Sequence, residues 1–394
     1  MIEEKKISTN LSSLSHQEAG GYDVAIIGGG LAGLSLSIQC ARHGYSVVLF
    51  EKEKYPFHKV CGEYISFESW DLLEELGVPL SEMDLPEIKK LIVSAPNGKM
   101  IKSNLGLGGF GISRYTLDNY LATLAKQAGV VVMEETKVTD INYNHLQFTI
   151  HDSQKTYAAK IVAGTFGKRS NLDVKWKREF AEKKPNKLNN YIGIKYHIKT
   201  NWPNDTIALH NFSDGYCGIS QIENGNYCLC YLTTANNLHL CGNDITAMEN
   251  KILAQNPHLQ KILSSATILY QSPLTISQIS FDKKSQIENH VLLIGDSAGS
   301  ITPLCGNGMS MALHASKIAF SCIDKYLTGN FSREEMEHQY QSQWQKQFGN
   351  RLKIGRLIQR FFGKKWMTNL FISSLKPFPR VVAWLIRQTH GQPF

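Results

Sequence analysis

The sequence has no apolar run of the ~20 residues needed to cross a bilayer; the longest late run is Val381 to Ile386. Its opening stretch, residues 1–20, is polar, carries Glu3, Glu4, Lys5 and Lys6, and reads as a loose tail. No signal-peptide pattern occurs there, so a cytoplasmic location is expected. Cysteine is sparse: eight in 394 residues, none spaced Cys-x-x-Cys, with Cys228-x-Cys230 standing alone. That excludes a disulfide scaffold and offers no zinc-ligand spacing, so a reducing compartment fits and no metal is expected. Acid is missing from residues 351–394. Arg351, Lys353, Arg356, Arg360, Lys364, Lys365, Lys376, Arg380 and Arg387 lie there without one Asp or Glu. The net charge of +8 therefore belongs to this segment rather than to the whole fold, and no nucleic-acid partner is expected. Repeats and low-complexity blocks are absent too. What is present is a 42% apolar chain, long enough for two domains or one large split one.

The most informative stretch runs from Tyr22 to Glu51. Asp23–Ile27 is a short apolar run of the kind that forms a buried parallel strand. Gly28-Gly29-Gly30-Leu31-Ala32-Gly33 follows, then a helix-compatible run from Leu34 to His43 and a stop at Gly44. Ser46–Phe50 is a second strand, ending at Glu51. Gly28 permits the tight turn, Gly30 lets a pyrophosphate approach the backbone, and Gly33 lets helix and strand pack closely. The helix end offers N–H groups and partial positive charge to phosphate. Glu51, 23 residues after Gly28, is placed to accept from a ribose. Leu31, Ala32 and Lys52 belong to the same expected site, as does Val138 further on.

Gly106-Leu-Gly108-Gly-Phe-Gly111 matches the same glycine spacing, but Ile112–Tyr115 separate it from the next helical stretch, near Thr116 to Gln127. It reads as a loop or a bend in a strand. Without a second nucleotide unit there is no separate NAD(P)H domain. A downstream element decides between dinucleotides. Asn289–Ile294 leads into Gly295-Asp296-Ser297-Ala298-Gly299. Pro303 and Gly306-Asn307-Gly308-Met309 then open a helix to about Leu327. Asp296 can accept from a ribityl hydroxyl, and the helix end can face a flavin pyrimidine. NAD needs no such element.

These two segments together resemble the FAD-dependent oxidoreductases of the geranylgeranyl reductase and para-hydroxybenzoate hydroxylase type. The resemblance implies an α/β fold: a Rossmann-type, glutathione-reductase-like FAD-binding domain with an inserted β-sheet-rich substrate domain and a C-terminal helical tail. It implies FAD contacts at Gly28, Gly30, Gly33, Glu51, Gly295, Asp296, Gly308 and Met309. Ser113-Arg114 opening a helix is similar to the family segment whose arginine lies by FAD; a helix cap is the alternative. Lys59-Val60-Cys61-Gly62-Glu63 resembles the Cys-Gly segment near the flavin in such reductases; a buried free cysteine is the alternative. Two departures stand out. Phe166, in Gly164–Ser170, occupies the place of an Asp that contacts NAD(P)H in many flavin hydroxylases. Gly215–Gln221 keeps the Tyr of the prenyl reductases' Tyr-x-Trp-x-Phe-Pro stretch but lacks its Trp and Phe-Pro.

The FAD-binding domain is expected from residues 21–80, 110–170 and 288–345, and the substrate domain from 81–109 and 171–287. In the latter, Ile88–Ser94 and Lys99–Lys102 flank a hairpin turn at Pro96-Asn97-Gly98. Residues 190–235 alternate as strands, 245–265 read as one helix, and Lys177–Lys187 as a charged loop. Residues 346–394 form a basic amphipathic helical tail. It reads either as a cap on the catalytic domain or, over 351–387, as a peripheral membrane contact. The expected enzyme is an FAD-dependent oxidoreductase acting on a hydrophobic small molecule, with NAD(P)H as electron donor. Hydroxylation is the first reading, reduction of a carbon–carbon double bond the second, halogenation or a non-catalytic flavin- or lipid-binding role less favoured. No catalytic residue is assigned; His197, His210 and Tyr216 are pocket candidates.

Overall fold

In the computed structural model, residues 21–183, 190–301, 307–361, 364–389 and 391–394 are described. The chain enters through β1 (Tyr22–Ile27), α1 (Leu31–Arg42) and β2 (Val47–Phe50). Val24, Ala25 and Ile26 are fully buried, as are Val48 and Leu49, which is why these short runs carry almost no polar residue. β3 (Tyr64–Ser66), β4 (Glu87–Ser94) and β5 (Met100–Gly111) pass to a second sheet. The chain returns through α2 (Arg114–Gln127) and β6 (Val131–Met133), then β7 (Asp140–Asn144), β8 (Gln147–His151) and β9 (Thr156–Gly164). The second sheet is completed by β10 (Tyr191–Lys199), β11 (Thr206–Phe212), β12 (Gly215–Gln221), β13 (Tyr227–Thr234), β14 (Thr267–Ile268) and β15 (Leu274–Ile279). β16 (Ile287–Glu288) and β17 (Val291–Leu293) close the first sheet. α3 (Gly308–Leu327), α4 (Arg333–Phe361), α5 (Lys365–Leu375) and α6 (Pro379–Thr389) follow.

The first sheet is eight-stranded, with β17, β9, β1, β2 and β6 running parallel in that order. α1 packs against both α2 and α3. The carboxyl ends of β1 and β17 lie on either side of β9, so Gly28 and Gly295 emerge at the same edge, where α/β sheets hold their ligands. The second sheet is nine-stranded and antiparallel except where β4 runs parallel to β11.

The chain is thus a mixed α/β protein with a helical C-terminal region. Several local expectations meet particular outcomes. Gly106–Gly111 is indeed strand: Gly108, at φ +74°, sits at the bend of β5 beside Ile88. The turn between β4 and β5 is closed by Gly98 N–H donating to Ala95 O at 2.9 Å. The single helix expected over 245–265 is instead two, Ile245–Lys251 and Pro257–Ser265. Pro257 cannot continue a helix from Asn256, whose side chain caps the second one. The charged loop begins with one helical turn at Glu179–Glu182; residues 184–187 lie outside the described residues, as do the 1–20 tail, Pro303 and Gly306. Tyr64–Ser66, within the 21–80 stretch, hydrogen-bonds to Gly109–Gly111 of the second sheet. α4 runs unbroken through position 345, because Met336, Tyr340, Trp344, Phe348 and Leu352 form one buried stripe.

Candidate active site

One cleft runs between the two sheets. From the first it takes Gly30, Leu31, Ala32, Arg114, Thr165, Gly167, Lys168, Gly295, Asp296, Asn307, Gly308 and Met309. From the second and its connections come Cys61, Gly62, Glu63, Tyr64, Gly193, Ile207, Leu209, Tyr216, Gly218, Ile219, Cys230, Leu232 and Ile279.

Two helices begin at this cleft. α1 starts at Gly30 and α3 at Asn307, both without a side-chain cap. α2 differs: Ser113 Oγ accepts from Thr116 N–H at 3.1 Å, and Ser113 N–H donates to Glu223 Oε2 at 2.7 Å. The protein therefore satisfies the start of α2 itself and leaves the starts of α1 and α3 facing the cleft. Such ends attract anionic or hydrogen-bond-accepting groups.

The glycines divide the labour. Gly28 adopts φ +113°, and a Cβ there would sit 2.6 Å from Thr165 O. A Cβ on Gly33 would run into Gly28 O and lie 2.7 Å from Thr165 Oγ1. Both serve close packing. A Cβ on Gly30 would meet only Arg114 Nη2 at 3.6 Å and Lys59 Nζ at 3.9 Å, so this backbone is open to the cleft. Glu51 is buried behind the loop, where its Oε2 accepts from Gly29 N–H at 2.8 Å. Tyr55 OH donates to Gly29 O at 2.6 Å.

Charge is concentrated at the same end. Arg114 holds Asp118 with two bonds of 2.7 Å, and Lys59 Nζ lies 3.0 Å from Asp118 Oδ2. Burial pushes the Asp118 carboxyl up, but Arg114 and Lys59 outweigh it and hold it below the usual range. Lys59 Nζ also lies 3.9 Å from Glu51 Oε2, so the two cations are balanced by two carboxylates; Arg114 and Lys59 are nonetheless the groups that flank Gly30, where each can donate to a pyrophosphate.

Deeper in, Glu63 is wholly buried at φ +55°, a strained position for a non-glycine. Its Oε1 takes the Lys195 ammonium and, at 2.8 Å, the Arg114 N–H; its Oε2 lies 2.6 Å from His197 Nε2. Burial pushes this carboxyl up too, but Lys195 and His197 hold it ionised, below its usual range. Cys228 completes a group with Glu63 and His197 whose ligand atoms fall within 4.8 Å of one another. The Lys195 ammonium, already neutralising Glu63, opposes a second cation there.

Of the residues expected from sequence, Gly30, Leu31, Ala32, Cys61, Gly62, Arg114, Gly295, Asp296, Gly308 and Met309 line the cleft. Gly28, Gly33 and Glu51 support it from behind. Lys52 points into solvent beside Glu53, and Val138 is buried in the core; neither lines the cleft. Tyr216 lines it, while His197 stands one layer back against Glu63. His210 is corrected: its ring is buried between Ser94 and His258, and burial pushes its pKa down to about 3, so it is neutral and outside the cleft. The sequence reading missed the chemistry of Glu63, Lys59, Lys195 and Lys284. Lys195 and His197 alternate on one face of β10, whose other face is apolar, and that pattern was the available signal. Lys284 ties two loops on the first-sheet side of the cleft: its Nζ donates to Lys168 O and to Asp296 O, each at 2.8 Å.

Residues 21–343 match the model of the FAD binding domain family. The chain belongs to that family. It is an FAD-dependent oxidoreductase, and the cleft fits the cofactor: Gly30 and the start of α1 with Arg114 and Lys59 would hold the pyrophosphate. Asp296 would take the ribityl chain and the start of α3 the flavin pyrimidine. Among similar curated proteins, Conditioned medium factor receptor 1 of Dictyostelium discoideum is 26% identical, over 89% of this chain and 72% of that protein. Digeranylgeranylglycerophospholipid reductase of Methanococcus vannielii is 24% identical, over 86% of this chain and 87% of the relative. The solved structure of a flavin-dependent brominase shares the fold, with a TM-score of 0.75 at 19% identity and 93% of each chain covered.

Proposed function

We propose that the chain is an FAD-dependent reductase of carbon–carbon double bonds in an apolar, isoprenoid-like molecule, with NAD(P)H as the electron source. The observation that carries this reading is the character of the cleft beyond the flavin element. Ile207, Leu209, Ile219, Leu232 and Ile279 give it apolar walls, and Gly193 and Gly218 keep side chains out of its path. A long unbranched apolar group fits such a channel better than a polar ring does. The name of the Methanococcus relative supports the same substrate class.

Bound FAD supplies two-electron redox chemistry at one wall of this channel. The chain's own residues supply position, dryness and charge. The apolar walls exclude water, which strengthens every charge at the channel's inner end. Glu63 is held there as a carboxylate by Lys195, so the inner end carries fixed, balanced charge rather than a free acid. Saturating a double bond also requires a proton. Among the described residues lining the cleft, the groups of the kind that supply one include the thiols of Cys61 and Cys230, the phenols of Tyr64 and Tyr216 and the amine of Lys168. Phe166 packs edge-on to Trp176 at 6.2 Å and contributes no carboxylate, so a nicotinamide would not be bound through an acid at that stretch.

The test is product analysis. The flavin-loaded protein, an unsaturated isoprenoid lipid and NADPH should yield product with two hydrogens added per double bond, also when dithionite replaces NADPH under anaerobic conditions. Incorporation of one oxygen atom from air, without saturation, would overturn this reading in favour of hydroxylation, which the sequence alone ranked first.

A further inference from the structure

α5 and α6 each have two faces. On the inner side, Ile372 is buried and packs with Leu209, Tyr216, Leu232 and Ile279, which are cleft-wall residues. Ile386 packs against Tyr64 and Ile207, which also line the cleft. On the outer side, large apolar side chains stand in solvent: Trp366 at 66% exposure, Leu370 at 62%, Phe378 at 58% and Trp384 at 52%. Trp366 and Leu370 lie one turn apart on α5; Phe378, Val381 and Trp384 follow at three-residue steps into α6. The same tail carries exposed cations: Lys353, Lys364, Lys365, Lys376, Arg380 and Arg387. No acid occurs anywhere in residues 351–394 to neutralise them.

We propose that the outer face of α5 and α6 docks on an anionic lipid bilayer and seats the cleft at its surface. Tryptophan with leucine and phenylalanine, together with lysine and arginine, is the composition that settles at the boundary between headgroups and acyl chains. An apolar patch left in water tends toward association, so something covers it. The charge pattern selects the occupant. A two-fold contact with a second copy would set this all-cationic surface against itself, whereas an anionic leaflet is complementary. Among the described residues no helix is long and apolar enough to span, so the contact is superficial. Because the inner face of the same helices forms the packing behind the cleft wall, docking brings the channel to the source of an apolar substrate. That last step rests on the proposed function; docking itself does not.

The test is co-sedimentation of the full, flavin-loaded chain with vesicles of phosphatidylcholine alone or mixed with phosphatidylglycerol. Binding should appear with the anionic vesicles and fall with added salt. K364Q/K365Q should weaken it about 25-fold, roughly fivefold per cation. W366S/W384S should weaken it about tenfold or more, since the apolar face supplies the insertion. All four positions are exposed, so flavin absorbance and thermal midpoint should match the parent chain. Equal binding to neutral vesicles, or none to anionic ones, would overturn the proposal. So would a dimer in sedimentation velocity that W366S/W384S dissolves, because a second copy would then own the patch. Vesicle binding without reduction of detergent-dispersed lipid supports docking and refutes the reaction; reduction without vesicle binding does the reverse.

Discussion

Two alanine substitutions in one loop should separate holding the fold from holding the cofactor. At Gly33 the new Cβ would collide with Gly28 O and approach Thr165 Oγ1 to 2.7 Å. Neither partner can move easily. Gly28 is the tight turn at φ +113°, and Thr165 is pinned by its N–H to Ile27 O at 2.8 Å and its hydroxyl to Gly28 O at 2.6 Å. The helix must lift off the strand, at a cost of ~1–3 kcal/mol or more for overpacking a dense interior. At Gly30 the nearest atoms are 3.6 and 3.9 Å away and φ is −89°, which suits any residue. Gly30→Ala should therefore cost the unliganded fold no more than ~1 kcal/mol, the usual change at a helix cap. Its methyl group instead fills the approach of the pyrophosphate. Losing one or two charge-assisted hydrogen bonds there is worth ~1.5–3 kcal/mol, or ~10–150-fold in FAD affinity. Denaturant midpoints of the apoproteins and fluorescence titrations with FAD measure both effects. Gly30→Ala with unaltered FAD affinity, or Gly33→Ala with unaltered stability, would refute the reasoning.

Lys284 should show in the pH dependence of stability. Burial pushes its ammonium down from 10.5 to about 8. The fold then binds fewer protons than the unfolded chain between those values, so stability rises with pH across that window, by up to ~3 kcal/mol. Lys284→Met should lack this rise, and parallel pH profiles for the two proteins would contradict the assignment. Lys195→Met leaves the Glu63 carboxylate buried with His197 and should cost ~3–5 kcal/mol, largely restored by adding Glu63→Gln. A loss below ~1 kcal/mol in urea unfolding would contradict the buried pair.

The β1–α1–β2 unit was legible because every part of it is local: strand, glycine turn, helix and acid follow one another without a long-range partner. The Gly295-Asp296 element was legible for the same reason. Where meaning depended on distant pairing, the sequence was silent. β3 joins β5 across more than forty residues, and nothing in Tyr64-Ile65-Ser66 names that partner. Lys195 looked like one more strand cation until Glu63, 132 residues away, proved to meet it in the interior. Strand alternation placed His210 on a face, but not which layer that face met, and its ring went to Ser94 rather than the cleft. The 245–265 helix broke because Pro257 outweighs apolar periodicity. The tail showed its amphipathic character in sequence, yet only packing revealed that one face backs the cleft and the other stands in solvent.

The central claim is that the uncapped starts of α1 and α3 are two ends of one FAD site. The most direct measurement is flavin content: visible absorbance and released FAD of the purified chain after reconstitution, beside Gly30→Ala and Asp296→Ala. The account predicts one FAD per chain in the parent and weakened retention in both variants. A parent chain that stays colourless with excess FAD, or variants that retain it as tightly, would contradict it.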